Sequence, residues 1–317
     1  MQRLTGIDGL CSLPPGVVLS VGNYDGVHAG HEAILRAMRD DAGSGPLAIP
    51  IAVVTFEPHP LTVLRPSLVP PRLTPLPMKM RLLAERGVDY LVTLPPTPEV
   101  LGLTAVAFWE LLRDRVRPSR IVEGQSFNFG RDRGGTIEKL IEWSAGTDIV
   151  VERRPAHAVR LGGVDVAVSS SVVRSLLLEG RVEDAARCLG RAYELEGQVV
   201  QGFQRGRTIG VPTANLDGGE QLVPAEGVYA GRVSLSGRTY AAAVSIGTTP
   251  TFEQRRAQVE VHIIDFSGDL YGKPLAVSML SRLRDQERFS SVDALKTQLS
   301  QDILAARRIG LAEPSGA

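Results

Sequence analysis

The chain of 317 residues has only two cysteines, Cys11 and Cys188. Two thiols exclude a disulfide framework and, by themselves, a cysteine-rich zinc site. They fit free thiols in a reducing cytoplasm. Net charge is also missing, with 35 Lys and Arg against 35 Asp and Glu. A general nucleic-acid binder is normally basic, so that class is set aside, although a local basic patch for small phosphates stays open. Long apolar runs are absent too. Ala48–Phe56 is among the longest, far below the ~18 residues of a membrane span. The opening MQRLTGIDGL has neither the basic flank nor the apolar core of a signal peptide. The expectation is a cytoplasmic chain with no membrane or nucleic-acid partner, a monomer or weak homo-oligomer. No internal repeat or low-complexity stretch is visible. What remains is 43% hydrophobic, 22% charged and loop-rich, with 33 Gly and 21 Pro. That is an ordinary globular composition, long enough for about two domains.

The two halves differ in periodicity. In the first, short apolar runs alternate with amphipathic stretches. Val17–Val21, Ile51–Phe56, Tyr90–Leu94, Arg120–Val122 and Asp148–Glu152 read as strands. Ile34/Ala37/Met38, Met80/Leu82/Leu83, Phe108/Leu111/Leu112 and Ile137/Leu140/Ile141 mark helices between them. This alternation predicts an α/β domain with a parallel sheet, whose ligands bind beyond the carboxyl ends of the strands. Two helices, Ser171–Leu178 and Val182–Leu189, are broken by Gly180. Then Glu194–Val200, Gly227–Leu235, Arg238–Ile246, Gln258–Asp265 and Leu275–Leu280 read as strands separated by turns, which fits an antiparallel barrel or sandwich. A terminal helix spans Val292–Arg307. The expected domains are 1–187 and 188–312, with a loose tail over 313–317.

Chemistry-bearing residues cluster in each half. GNYDGVHAGH, Gly22–His31, joins the first strand to the first helix. Gly22, Gly26 and Gly30 let backbone approach a ligand closely. The helix N-terminus suits phosphate, and His28 and His31 stand where they can donate to phosphate oxygens. A metal site and a chance gathering are the alternatives. Asp25 either assists there or stabilises the turn. Far along the chain, Ser169, Ser170 and Ser171 precede a helix with Arg174 in its first turn. An arginine opposes the dipole at that end, so a nearby anion accounts for it, as does a solvated arginine on a capped helix. In the second half, Gly202–Leu216 holds Gly202, Gly206, Arg207 and Gly210, then Pro212, Thr213 and Asn215. Hydroxyl and amide oxygens suit Mg²⁺ beside nucleotide phosphates; a polar turn is the plain alternative. In VEVHIID, Val259, Val261 and Ile263 share one face and Glu260 and His262 the other. Glu260 can serve as a general base or be an exposed strand glutamate, and His262 fits local packing or bonding.

Together these stretches resemble a known family. His28, His31 and the Ser/Arg helix are similar to the nucleotidylyltransferases. FEPHP (Phe56–Pro60), the Lys79 helix with Gly87–Asp89, and GQSFNFGRDRGG (Gly124–Gly135) resemble the N-terminal module of bacterial bifunctional riboflavin kinase/FAD synthetases. EGVYAG, IGTTPTF, VEVHIIDF, GDLYG and LRDQERF, in that order after the Gly202–Asn215 turn, resemble the riboflavin kinase module.

The resemblance implies a nucleotidylyltransferase-like domain followed by a six-stranded barrel. It implies phosphorylation of riboflavin by ATP to FMN, then adenylylation of FMN to FAD with release of pyrophosphate. In the first domain Gly22, Asn23, Tyr24, Asp25, Gly30, His28, His31, Ser170, Ser171 and Arg174 would bind ATP, with Ser126, Phe127 and Phe129 on the flavin. In the second, Gly206, Arg207, Gly210, Pro212, Thr213 and Asn215 would hold ATP and Mg²⁺, with Glu260 as base and Arg284 beside the flavin. Two positions depart from the family pattern: Ser126 stands where Asp or Asn is usual, and Thr249 where Arg is common. Rival readings are one inactive module, a flavin-binding regulator without turnover, and adenylylation of another acceptor. The last leaves the second half unexplained.

Overall fold

The computed structural model describes residues 1–43, 45, 48–202, 210–250 and 255–312, with backbone only at 249, 250, 255 and 256. Gly206, Arg207, the Thr249 side chain and the tail over 313–317 lie outside the described residues. Two compact units divide the chain, Met1–Ser169 and from Ser170 onward.

In the first unit the strands are β1 (Gln2–Thr5), β2 (Val18–Val21), β3 (Ile51–Phe56), β4 (Tyr90–Leu94) and β5 (Arg120–Gly124). A two-stranded pair, β6 (Asn128–Phe129) with β7 (Gly135–Thr136), precedes β8 (Val150–Arg154). A hairpin, β9 (Ala158–Leu161) and β10 (Val164–Ala167), closes the unit. The main sheet has the order β1-β4-β3-β2-β5-β8, and every pairing in it is parallel.

A parallel sheet is covered on both faces, so its strands are apolar on both. Successive residues of β3 and β4 alternate between two cores. Ala52, Val54, Val92 and Leu94 pack with Phe108, Trp109, Ile137 and Leu140 on one face. Ile51, Val53 and Leu91 pack with Leu35, Met38, Met78, Leu82 and Leu83 on the other. The helices of this unit are, in chain order, α1 (Gly6–Cys11), α2 (Ala29–Ala42), α3 (Leu61–Leu64), α4 (Leu76–Glu85), α5 (Pro98–Gly102), α6 (Ala105–Leu111) and α7 (Ile137–Ser144), and α2, α4, α6 and α7 supply the helical residues just named.

The strand order reverses at β2. The chain leaves β2 towards β3 and β4, then returns to β5 on the other side of β2. The crevice beyond the carboxyl ends at such a reversal is where open α/β sheets bind ligands. The loops that follow β2 and β5 open onto it: Gly22–His28 and Gln125–Phe127.

The second unit opens with α8 (Ser170–Leu178) and α9 (Val182–Leu189). Gly180, at φ 76°, turns the chain between them. α9 is tied to the barrel through Glu183, whose Oε1 accepts from Ser281 Oγ (2.6 Å) and from the Arg282 N–H (3.1 Å). The strands are β11 (Tyr193–Val200), β12 (Ala214–Asp217), β13 (Gly227–Leu235), β14 (Arg238–Pro250), β15 (Arg255–Ile263) and β16 (Pro274–Arg284). They close as an antiparallel barrel in the order β11-β12-β15-β14-β13-β16, and closure leaves no free edge. A long helix, α10 (Val292–Leu311), packs Ala306 and Ile303 against Ala230 and Ala241 of the barrel.

Candidate active sites

The GNYDG loop is held by bonds from below. Asp25 is buried, and its carboxylate accepts from the Leu73 and Thr74 N–H groups and from Thr74 Oγ1, at 3.0–3.2 Å. Thr74 Oγ1 accepts in turn from the Gly26 N–H (3.0 Å). These bonds hold Tyr24 and Val27 at φ 48° and 40°, a left-handed conformation that is costly for a β-branched residue. Of the two readings of Asp25, the turn role has the geometry on its side. The Asn23 carbonyl is pinned twice, by Thr55 Oγ1 (3.0 Å) and by Lys79 Nζ (2.8 Å). Lys79 is buried. Its ammonium is pulled down by desolvation, and the Asp25 and Glu57 carboxylates oppose that shift.

His28 and His31 start α2 with a reciprocal cap. The His28 N–H donates to His31 Nδ1 and the His31 N–H to His28 Nδ1, each at 3.3 Å. Both Nδ1 atoms are therefore acceptors. The proton of each neutral ring then sits on Nε2, the nitrogen turned away from the cap. The rings stack at 3.6 Å, and Tyr24 continues the stack on His31 at 4.6 Å. Gly22 and Gly30 make room for it. A Cβ on Gly22 would lie 3.3 Å from the Tyr24 ring, and one on Gly30 3.2 Å from the His28 ring. Imidazole N–H donors at a helix N-terminus are chemically suited to an anionic oxygen.

The loop after β5 is anchored by aromatics. Phe129 is buried against Phe108 and Trp143 and stacks on Phe127, while Ser126 is exposed. Phe129 packs in the core, Phe127 is half-buried against the same core, and Ser126 is exposed beside them. Ser170, Ser171 and Arg174 belong to the second unit. α8 begins at Ser170, one residue before the expected start, so both serines stand inside its first turn.

Sequence reasoning missed Glu123. It is 3% exposed at the end of β5, and no ion pair to it occurs among the described residues. Its Oε1 accepts from the Val21 N–H (2.5 Å) and from Ser20 Oγ (3.2 Å), and Ser20 Oγ accepts from the Tyr24 hydroxyl (2.7 Å). Burial raises the Glu123 carboxyl well above the usual range. Burial, with Glu123 second, also pushes the Tyr24 phenol up, so it stays a donor. A charged residue inside the apolar strand RIVEG was the available signal.

In the barrel, β12 places Asn215 directly across from Glu260 of β15. Asn215 is 8% exposed, whereas Glu260 is partly open. Gln258, two residues before Glu260 and on its face, joins them. Its Nε2 donates to Asn215 Oδ1 (2.6 Å) and to Glu260 Oε1 (3.0 Å). The two-residue period could have found it. His262 Nδ1 lies 2.8 Å from Pro212 O. A carbonyl only accepts, so that nitrogen carries the proton and fixes the turn before Thr213. A cavity of about 550 Å³ opens beside Thr213, lined also by Val199, Val261, Phe266, Asp269 and Tyr271. Gly210 stands at the head of the turn at φ 84°. Arg284 makes a bidentate ion pair with Asp302 of α10 (2.8–3.2 Å), which commits that face of its guanidinium to the helix.

Family comparison finds a match in each half of the chain. Residues 12–171 match the FAD synthetase family model, and residues 189–310 match the riboflavin kinase model. The bifunctional riboflavin kinase/FMN adenylyltransferase of Escherichia coli K12 is 37% identical over 99% of this chain and all of its own length. The protein of that name from Pseudomonas fluorescens is 36% identical, with 99% of each chain covered. A crystal structure described as a macrolide-efflux protein from Streptococcus pneumoniae superposes with a TM-score of 0.85 at 32% identity, covering 97% of this chain and 99% of that one. Among the described residues no helix is long and apolar enough to cross a membrane. The chain belongs to the bifunctional riboflavin kinase/FMN adenylyltransferase family.

Proposed function

We propose that the chain makes FMN and then FAD in two separate sites, each using the residues described above. What supports this reading is that the histidine pair and the Asn215–Glu260 pair lie in different units. His28 and His31 cap a helix at the carboxyl end of a parallel sheet, and Asn215 and Glu260 face each other across a barrel.

In the kinase reaction Glu260 accepts the proton of the terminal ribityl hydroxyl of riboflavin. The hydroxyl oxygen forms the new bond to the γ-phosphorus of ATP, and the bond to the β–γ bridging oxygen breaks. Gln258 holds the Glu260 carboxylate through one oxygen, which leaves the other for the substrate. The cavity beside Thr213 suits a nucleotide, with its apolar wall and few polar groups. The donor set of Thr213 hydroxyl and Asn215 amide oxygen fits a hard cation. These two would hold Mg²⁺, which neutralises phosphate charge when bound.

In the adenylyl transfer a phosphate oxygen of FMN bonds to the α-phosphorus of ATP, and the α–β bridging bond breaks to release pyrophosphate. No enzyme nucleophile is required, so alignment and charge carry the catalysis. The Nε2–H groups of His28 and His31 donate to phosphate oxygens. Ser170, Ser171 and Arg174 serve the same triphosphate, and Ser126 and Phe127 the flavin. Both steps draw on cytoplasmic ATP. The boundary expected at 187/188 would assign α8 and all but the last two residues of α9 to adenylylation.

Incubation of the purified chain with riboflavin, ATP and Mg²⁺, followed by chromatography, tests this. FMN appears first and FAD follows. FMN that builds up without FAD contradicts the bifunctional reading. Arg174→Ala lowers FAD formation from FMN by roughly 10²–10³ and spares FMN formation; equal loss of both overturns its assignment.

A further inference from the structure

In the cluster around Glu123 only Tyr24 is among the residues assigned above; the cluster crosses the sheet at its reversal point. β2 and β5 pair only at Val18↔Arg120 and Leu19↔Ile121. Beyond Leu19 no further backbone pair joins them. Gly22 N–H turns the other way, to Val54 O (2.9 Å), so Val21 N–H faces β5 by the alternation of a strand. There the Glu123 carboxyl takes the place of the missing backbone acceptor.

The bonds have one direction. Tyr24 O–H donates to Ser20 Oγ, Ser20 O–H donates to Glu123 Oε1, and Val21 N–H donates to the same oxygen. Everything in the chain ends on that acceptor. At its other end stands the Tyr24 ring, stacked on His31 at 4.6 Å with 28° between planes. Rotating or sliding Tyr24 breaks the bond to Ser20, and Gly22 leaves it a close-fitting slot. The plane of His31 is thus referred, through three side chains, to the end of β5.

We infer that Glu123 is a positioning residue for adenylyl transfer, acting through Ser20 and Tyr24 to hold the His31 imidazole in register with the nucleotide phosphates. The inference rests on the reading that His31 binds those phosphates. Only an acceptor at Oε1 is needed. Glutamine supplies one at the same place, and the raised carboxyl of Glu123 is mimicked by an uncharged amide.

The test is steady-state FMN adenylylation by the full chain, with its riboflavin kinase activity measured on the same samples as a control for folding. Glu123→Ala and Tyr24→Phe should each lower kcat for FAD formation on the order of ten- to a hundred-fold, with kinase activity unchanged. The double variant should be no slower than the worse single one, because both break one chain. Glu123→Gln should restore most of the rate. In ¹³C-histidine NMR, the His31 Cε1–H resonance (assigned by its loss in His31→Gln) should shift in Tyr24→Phe and return near its place in Glu123→Gln. That reading also decides the matter if Glu123→Ala does not fold. An unchanged kcat in Tyr24→Phe, multiplicative losses in the double variant, or a Gln variant as slow as Ala would overturn the inference. If His31→Ala itself keeps full FAD formation, the fault lies instead with the phosphate-site reading.

Discussion

At the residue scale, the imidazole pair illustrates how a short motif becomes a donor pair. The H-x-x-H spacing lets each Nδ1 cap the other's backbone N–H, and capping fixes where the remaining protons sit. Glu123 carries a separate consequence for stability. Burial raises its carboxyl well above the usual value, so the folded state keeps a proton that the unfolded chain has released. The stabilisation this gives is complete below the ordinary glutamate range. It is lost as pH rises from that range towards the folded value. Glu123→Gln has no such titration. Unfolding monitored at about pH 5 and about pH 8 should show wild type losing stability relative to the Gln variant as pH rises; a difference that is constant or grows the other way contradicts the buried, uncharged state.

At the element scale, the structure was partly readable in advance. Ile51–Phe56, Tyr90–Leu94 and Gly227–Leu235 coincide with the strands expected from their apolar runs. β12 was not expected: ANLD is short and mostly polar, and it becomes a strand because closing the barrel pairs Asn215 with Glu260. β9 and β10 were missed although Gly162 and Gly163, both at positive φ, give the two-residue hairpin signal. The contact at Gly310 was equally hidden, since only the folded barrel brings α10 against it. A Cβ there would lie 2.6 Å from Ala241 Cβ and 2.9 Å from Gly231 O. Gly310→Ala should lift the end of α10 and cost about 1–3 kcal/mol, read as a lower denaturant midpoint; an unchanged midpoint would show that the helix end yields freely.

At the scale of the whole molecule, the division of labour was legible from the motifs, because the two halves of the sequence differ in periodicity and each carries its own family motifs. The networks that hold those sets were not legible. Ser20–Glu123 and Asn215–Gln258–Glu260 join residues that only sheet order and register bring together. The central claim is that two independent sites act in succession. The direct measurement is product analysis of two variants, each supplied with riboflavin or with FMN. Glu260→Ala should form no FMN from riboflavin yet convert supplied FMN to FAD at the wild-type rate. His31→Ala should accumulate FMN and form little FAD from either substrate. Loss of both products in either folded variant would contradict the account.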